Sequence, residues 1–288
     1  AAAIVGMLSE ERYTRTEIAA LRGLAWKQQA NANRQLGRFV AALEALVRAE
    51  RAYRELPLPD LDLASITFIR ATIYFYQGDY ALAEKLVVGS TATFEQLGQT
   101  ELYLRSRFLQ GSIAFEQREI GQAQVIFDRI YAYGEAHGDV AWIARGSQVL
   151  GHCCLERRDF ARASQYFHEG AQAFRDLGIR TDEIRCRWGL ALVMQRDARY
   201  LRAVTQLQEV RAEFLRLDAV VAPEQAGEAV GGGGDHQRIE LGVLGFLHPM
   251  VLEEAREQWL EVAVVADALE IMPLSHPLDV EDEQSHRE

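Results

Sequence analysis

Apolar and small residues recur along this chain with a single period over most of its length. Phe39, Tyr80, Ile120, Phe160 and Tyr200 follow one another at intervals of 41, 40, 40 and 40 residues, and three positions after each stands an alanine: Ala42, Ala83, Ala123, Ala163 and Ala203. Nine positions before each is a small residue (Ala30, Ala71, Gly111, Gly151, Ala191), and fourteen after come Tyr53, Phe94, Gly134, Phe174 and Phe214. Gly134 breaks the last series, with Tyr133 beside it. Several series in one register mark an internal repeat, and such a repeat determines the fold because no unit can bury its apolar stripe alone.

Each unit has the pattern of two amphipathic helices. The first spans about 17–35, 63–77, 101–117, 140–157 and 182–196; the second spans about 39–56, 80–97, 120–137, 160–177 and 200–217. Gly37-Arg38 and Gly78-Asp79 fall in the turn inside a unit, while Leu97-Gly98 and Leu177-Gly178 end second helices as glycine C-caps. Thr100, Asp139 and Thr181 stand where an N-cap oxygen is needed. Small residues on the first helix let the second approach closely, and the aromatic at the turn fills the wedge between them. The predicted fold is an all-α solenoid of stacked helix-turn-helix units.

The series Ala71, Tyr74, Gly78-Asp79-Tyr80, Ala83 and Val87, with Trp26 in the first unit, resembles the tetratricopeptide-repeat (TPR) family. The resemblance covers 17–218 as five units, and Ala2 and Tyr13 place 1–16 as the second helix of a partial leading unit. A 40-residue period is similar to the longer arrays of bacterial signalling and transcriptional regulators. The resemblance implies a right-handed superhelical solenoid whose first helices line a concave groove. It assigns to that groove an arginine ladder, Arg105, Arg145 and Arg185, with Phe68, Phe108 and Trp188 between the rungs and Thr72, Ser112 and His152 at a further position.

Lys27 and Asn31 stand where carboxylate-clamp members of the family carry lysine and asparagine, but Ile69 and Leu109 replace the clamp's later asparagine and arginine. Planar guanidinium forks suit a carboxylate, and aromatics between them suit an extended peptide. The expected function is therefore a non-catalytic protein- or peptide-binding scaffold whose partner is acidic or carboxylate-ended. The alternative is the ligand- or peptide-sensing regulatory module of a larger transcriptional or signalling regulator. A structural reading of the ladder also stands, in which the arginines pair with second-helix acids or line a solvated face.

Charge divides the chain where the repeat stops. Residues 1–218 hold 28 basic and 27 acidic groups, whereas residues 219–288 hold 3 and 15. Pro223 and Gly231 to Gly234 make 219–248 a glycine-rich linker, 249–272 reads as a capping helix opened by Pro249, and 273–288 reads as a disordered acidic tail. A second reading takes everything after about 219 as foreign to the repeat, through truncation or an altered frame. The chain opens on Ala1 inside a would-be unit, which suggests a fragment of a longer protein whose preceding part holds an output domain.

Little else points to chemistry. His152, Cys153 and Cys154 are consecutive, so their side chains diverge by about 100° each around one helix and cannot converge on a metal. The glycine run lacks the Lys-Ser or Lys-Thr of a phosphate loop. The expectations are no metal, no cofactor, no direct nucleic-acid contact by this acidic segment and no membrane span. Three cysteines, read as reduced thiols, favour a cytoplasmic location.

Overall fold

The computed structural model describes residues 13–221, all of them α-helical apart from short turns. The helices are α1 (Arg15–Gln35), α2 (Phe39–Tyr53), α3 (Asp60–Tyr76), α4 (Tyr80–Gln96), α5 (Thr100–Glu116), α6 (Ile120–His137), α7 (Val140–Glu156), α8 (Phe160–Asp176), α9 (Arg180–Arg196) and α10 (Tyr200–Val221). Each packs mainly on its sequence neighbours, and successive first helices also touch. The result is an all-α helical-repeat solenoid. The last helix takes in 219–221 of the expected linker; the rest of it, the capping helix, the acidic tail and most of the leading partial unit lie outside the described residues.

The register series form the core. Ala42, Ala83, Ala123 and Ala163 are fully enclosed, as are Ala30, Ala71, Ala191, Phe94 and Phe174. At Gly111 the space a Cβ would take is filled by the Phe127 ring, 2.5 Å away. The exception in the pattern, Gly134, has a local reason: its Cβ would lie 2.8 Å from the backbone nitrogen of Ile143. An aromatic there would displace the start of α7, where Trp142 is buried to 1% exposure.

The turns repeat with the helices. The position two before each second helix is left-handed throughout: Gly37, Gly78, Arg118, Arg158 and Ala198 have φ between 60° and 78°. Gly98, Gly138 and Gly178 adopt the same conformation after second helices. At Gly98 the Gln99 amide donates back to the Phe94 carbonyl at 2.9 Å, closing α4.

Capping differs from the prediction at two of three sites. Asp139 does accept from the Ala141 and Trp142 amides, at 3.0 and 3.1 Å. Thr100 and Thr181 instead lie inside their helices, which are capped by Gln99 and Ile179 without a side-chain bond. The left-handed glycine returns the chain to helix at once, so these threonines come too late to reach the orphan amides.

Ion pairs tie the units together. Glu156 accepts from Arg118 of the preceding unit at 2.8 Å and from Arg196 of the following one at 3.1 Å. Arg70 reaches Glu50 of the preceding unit at 2.8 Å, while within the last unit Arg187 reaches Glu213 at 2.6 Å.

Candidate functional site

Residues forty apart on α5, α7 and α9 share a face, so the first helices carry rows of equivalent positions. One row is Arg105, Arg145 and Arg185; another is Phe108, Gln148 and Trp188. The structure makes the arginine row part of a polar chain that crosses unit boundaries. Arg105 Nε donates to Glu101 at 2.7 Å, and the other oxygen of Glu101 accepts from Trp142 Nε1 of the next unit at 3.0 Å. The Arg145 guanidinium lies 5.0 Å from the Trp142 ring centroid. It also acts electrostatically on Asp182 of the unit beyond, which accepts from Arg185 Nη1 at 2.7 Å.

The expected ladder of open forks is corrected accordingly. Arg145 and Arg185 are 5% and 9% exposed. Glu101 and Asp182, both on first helices, engage the row, and for Arg105 and Arg185 the carboxylate lies one turn back on the same helix face.

Buried charge is concentrated on these two helices. Arg145 on α7 and Asp182, Glu183 and Arg185 on α9 are the buried charged side chains among the described residues, whereas the buried polar groups of α3 to α5 are serines and threonines. Glu183 points the other way: against burial, which raises it, Arg175 and Arg180 hold its carboxyl below the ordinary value. Burial pushes Asp182 up despite the pull of Arg185 and Arg145. Its Oδ2 and the Nε2 of Gln148 are both buried and have no hydrogen-bond partner among the described residues.

The other predicted positions divide. His152 lies edge-on to Phe167 at 4.9 Å and 6.3 Å from Trp188. Burial pulls its imidazole down to about 4, although Glu156 favours the charged form. Phe108 packs between Phe127 and Trp142, and Phe68 lies edge-on to Phe94. Thr72 and Ser112 are buried, and each hydroxyl donates to a carbonyl of its own helix, Phe68 and Phe108 respectively, at 3.0 Å. At the other end of the array, Lys27 pairs with Asp62 at 3.1 Å and lies over the Tyr53 ring, with Asn31 half-buried one turn on. Lys27 and Asn31 take no part in the α7–α9 cluster.

Residues not foreseen from sequence complete this face. Tyr76 on α3 stacks on Phe39 at 6.2 Å. Burial pushes its hydroxyl up to about 12, while Arg34 and Arg185 act in the opposite sense, so α3 and α9 share one electrostatic environment. Gln148 was legible as the polar member of an otherwise aromatic row, but Glu101, Asp182, Tyr76 and Arg34 carry no periodic signal.

The cysteines are packing residues. Burial pushes Cys153 up to about 12 and Cys186 well above the ordinary thiol value, so neither supplies thiolate near neutral pH. Among the described residues no three His, Cys, Asp or Glu side chains converge as a metal site. No described helix is long and apolar enough to cross a membrane.

Fold and face together define a TPR-like helical-repeat array with a buried polar centre on its later first helices. No family model and no curated protein matches the chain. Among solved structures, it is similar to the apo form of RapI, with a TM-score of 0.58 and 13% identity over 85% of this chain and 97% of that one. Aspartyl phosphate phosphatase F from Bacillus subtilis superposes with a TM-score of 0.63 and 13% identity over 91% of this chain and 69% of that one. At this identity the likeness establishes the helical-repeat fold.

Proposed function

We propose that this array is a non-catalytic regulatory module that binds a protein or peptide segment against the first-helix face of α7 and α9. The observation that carries the reading is the concentration there of buried charge. Burying ionisable groups costs several kcal/mol each unless they are paired, and apolar residues of similar volume are often as stable. The buried polar groups of α3 to α5 are serines and threonines, so packing alone does not demand buried charge on α7 and α9. Trp188, Phe108 and His152 beside the centre supply apolar anchors. Because Glu101 and Asp182 already engage the arginine row, the reading favours an extended segment with neutral recognition groups over a strongly acidic partner. Three buried free thiols accord with the reducing cytoplasm.

The test is selection of short peptides from a random library against the full chain, followed by affinity measurement on the double variant Arg145→Lys, Arg185→Lys. This change keeps both charges but removes the planar forks. A loss of roughly tenfold or more in affinity, with helix content retained by circular dichroism, is expected. Equal affinity for both proteins would remove α7 and α9 from the site.

The sensing alternative has its own support in the polar chain from Arg105 to Arg185, which crosses two unit boundaries and links ligand occupancy to the relation between units. One structural neighbour carries the name aspartyl phosphate phosphatase F, which supports a signalling setting for this reading. On this reading, peptide binding slows amide exchange in α5 as well as in α7 and α9; a change confined to the contacted helices would leave only the scaffold.

A further inference from the structure

The junctions between units are built in two ways. After α4, α6 and α8 the chain enters the next first helix within two or three residues, through left-handed Gly98, Gly138 and Gly178. At each, the next amide donates back to the helix just left: Gln99 to the Phe94 carbonyl, Asp139 to Gly134 and Ile179 to Phe174, all at 2.9 Å. The junction after α2 lacks this lock. Residues 54–59 join Tyr53 to Asp60 without a left-handed residue, and Pro57 and Pro59 have no amide hydrogen with which to make such a bond. The last amide to return to α2 is that of Leu56, which donates to the Tyr53 carbonyl at 3.0 Å, and Leu58 beyond it is 85% exposed.

Packing follows the same division. Helix α2 approaches α3 less closely than α4 approaches α5, α6 approaches α7 or α8 approaches α9. One apolar cluster runs from Ala71 and Phe75 on α3 through to Cys153 on α7. Ile66, Ile69 and Ile73 of α3 belong instead to a cluster with Ala45, Ala49 and Tyr53 of α2. Alanines present shallow ridges, so this side of α2 interlocks little with the isoleucines.

Directional contacts hold the first unit in place. Lys27 pairs with Asp62 at 3.1 Å and Arg70 with Glu50 at 2.8 Å, all four side chains partly exposed, so salt screens both pairs. At the end of α3, Tyr76 stacks on Phe39 with ring centroids 6.2 Å apart and planes 10° apart, and the Arg34 guanidinium lies 6.0 Å from the Tyr76 centroid. Contacts of this kind exchange for water at small cost, whereas a fused apolar core does not.

We propose that α1 and α2 form a hinged terminal unit that turns about residues 54–59 against the rest of the array, with Phe39 and Arg34 on Tyr76 as the latch of its closed position. Arg185 of α9 also acts on Tyr76, so turning the unit changes the surroundings of the α7–α9 face. The hinge does not rest on the peptide-binding reading above.

The test is pulsed electron spin resonance on the full chain, with spin labels at equivalent exposed positions two units apart. Glu44→Cys with Val125→Cys spans the junction after α2, whereas Lys85→Cys with Gln165→Cys spans only the junctions after α4 and α6. Cys153, Cys154 and Cys186 are buried, and their labelling is measured on the chain without added cysteines. The 44–125 distance distribution is expected to be broader than the 85–165 distribution. Tyr76→Leu, which removes the latch, and the double variant Glu50→Gln, Asp62→Asn, which removes the ion pairs, should each broaden the 44–125 distribution further and leave 85–165 unchanged.

A 44–125 distribution as narrow as the 85–165 one, in wild type and both variants alike, would overturn the hinge. Equal broadening of the two pairs would also overturn it, since that is general loosening of the array. A broad 44–125 distribution that Tyr76→Leu does not alter would strike out the latch. The double variant changes only partly exposed side chains, so the result does not depend on Tyr76→Leu folding well.

Discussion

A single half-buried imidazole shows how packing governs chemistry in this molecule. His152 sits among Phe167 and Trp188, and burial pulls its pKa from 6.5 to about 4, with Arg196 acting in the same sense and Glu156 in the opposite one. In the folded chain it binds fewer protons than in the unfolded chain between those values, so stability rises with pH across this window and is flat above it. Urea unfolding of wild type and His152→Phe should diverge as pH falls below about 6.5, with the wild type losing up to roughly 3 kcal/mol relative to the variant near pH 4. Parallel curves would show that His152 charges freely in the folded state. At the same scale, Gln148 stands between Phe108 and Trp188 in the forty-residue register, and nothing in that register shows that its amide nitrogen is left without a partner. Hydrogen bonding depends on which neighbour arrives, and the neighbours come from other units.

At the scale of the helix and its turn, the repeat imposes one backbone conformation on unlike residues. The left-handed position is glycine in the first two units but Arg118, Arg158 and Ala198 in the later ones. A residue with a Cβ pays about 1–2 kcal/mol there, part of which glycine returns through its greater freedom when unfolded. Arg158→Gly and Ala198→Gly should therefore each stabilise the array by about 0.5–1 kcal/mol, read as a rise in urea midpoint at unchanged slope. A fall in midpoint would mean that the turns are held by contacts made through these side chains. The helices lie within a few residues of their expected spans. Thr100 and Thr181 are not caps because a left-handed glycine starts the next helix sooner than the apolar pattern does.

Over the whole array, carboxylates bridging units add to the apolar stack. Glu156, 22% exposed in its side chain, joins the arginines of two other units, Arg118 at 72% and Arg196 at 43%. Such partly exposed pairs contribute about 0–1 kcal/mol and are screened by salt. Glu156→Gln should lower the melting temperature by a few degrees at most in dilute buffer, and the difference should shrink in roughly 1 M sodium chloride. A salt-independent difference would assign Glu156 a packing role.

By itself, the sequence determined the all-α class, the places of the helix pairs and the inward alanines, because forty-residue periodicity is a local pattern that each unit states anew. Only the tertiary structure decided what became of the arginine row. Whether Arg105, Arg145 and Arg185 meet solvent, a ligand or Glu101 and Asp182 depends on the approach of successive first helices. Charges placed turns or units apart in sequence acquire their partners only when stacking brings them within a few ångströms.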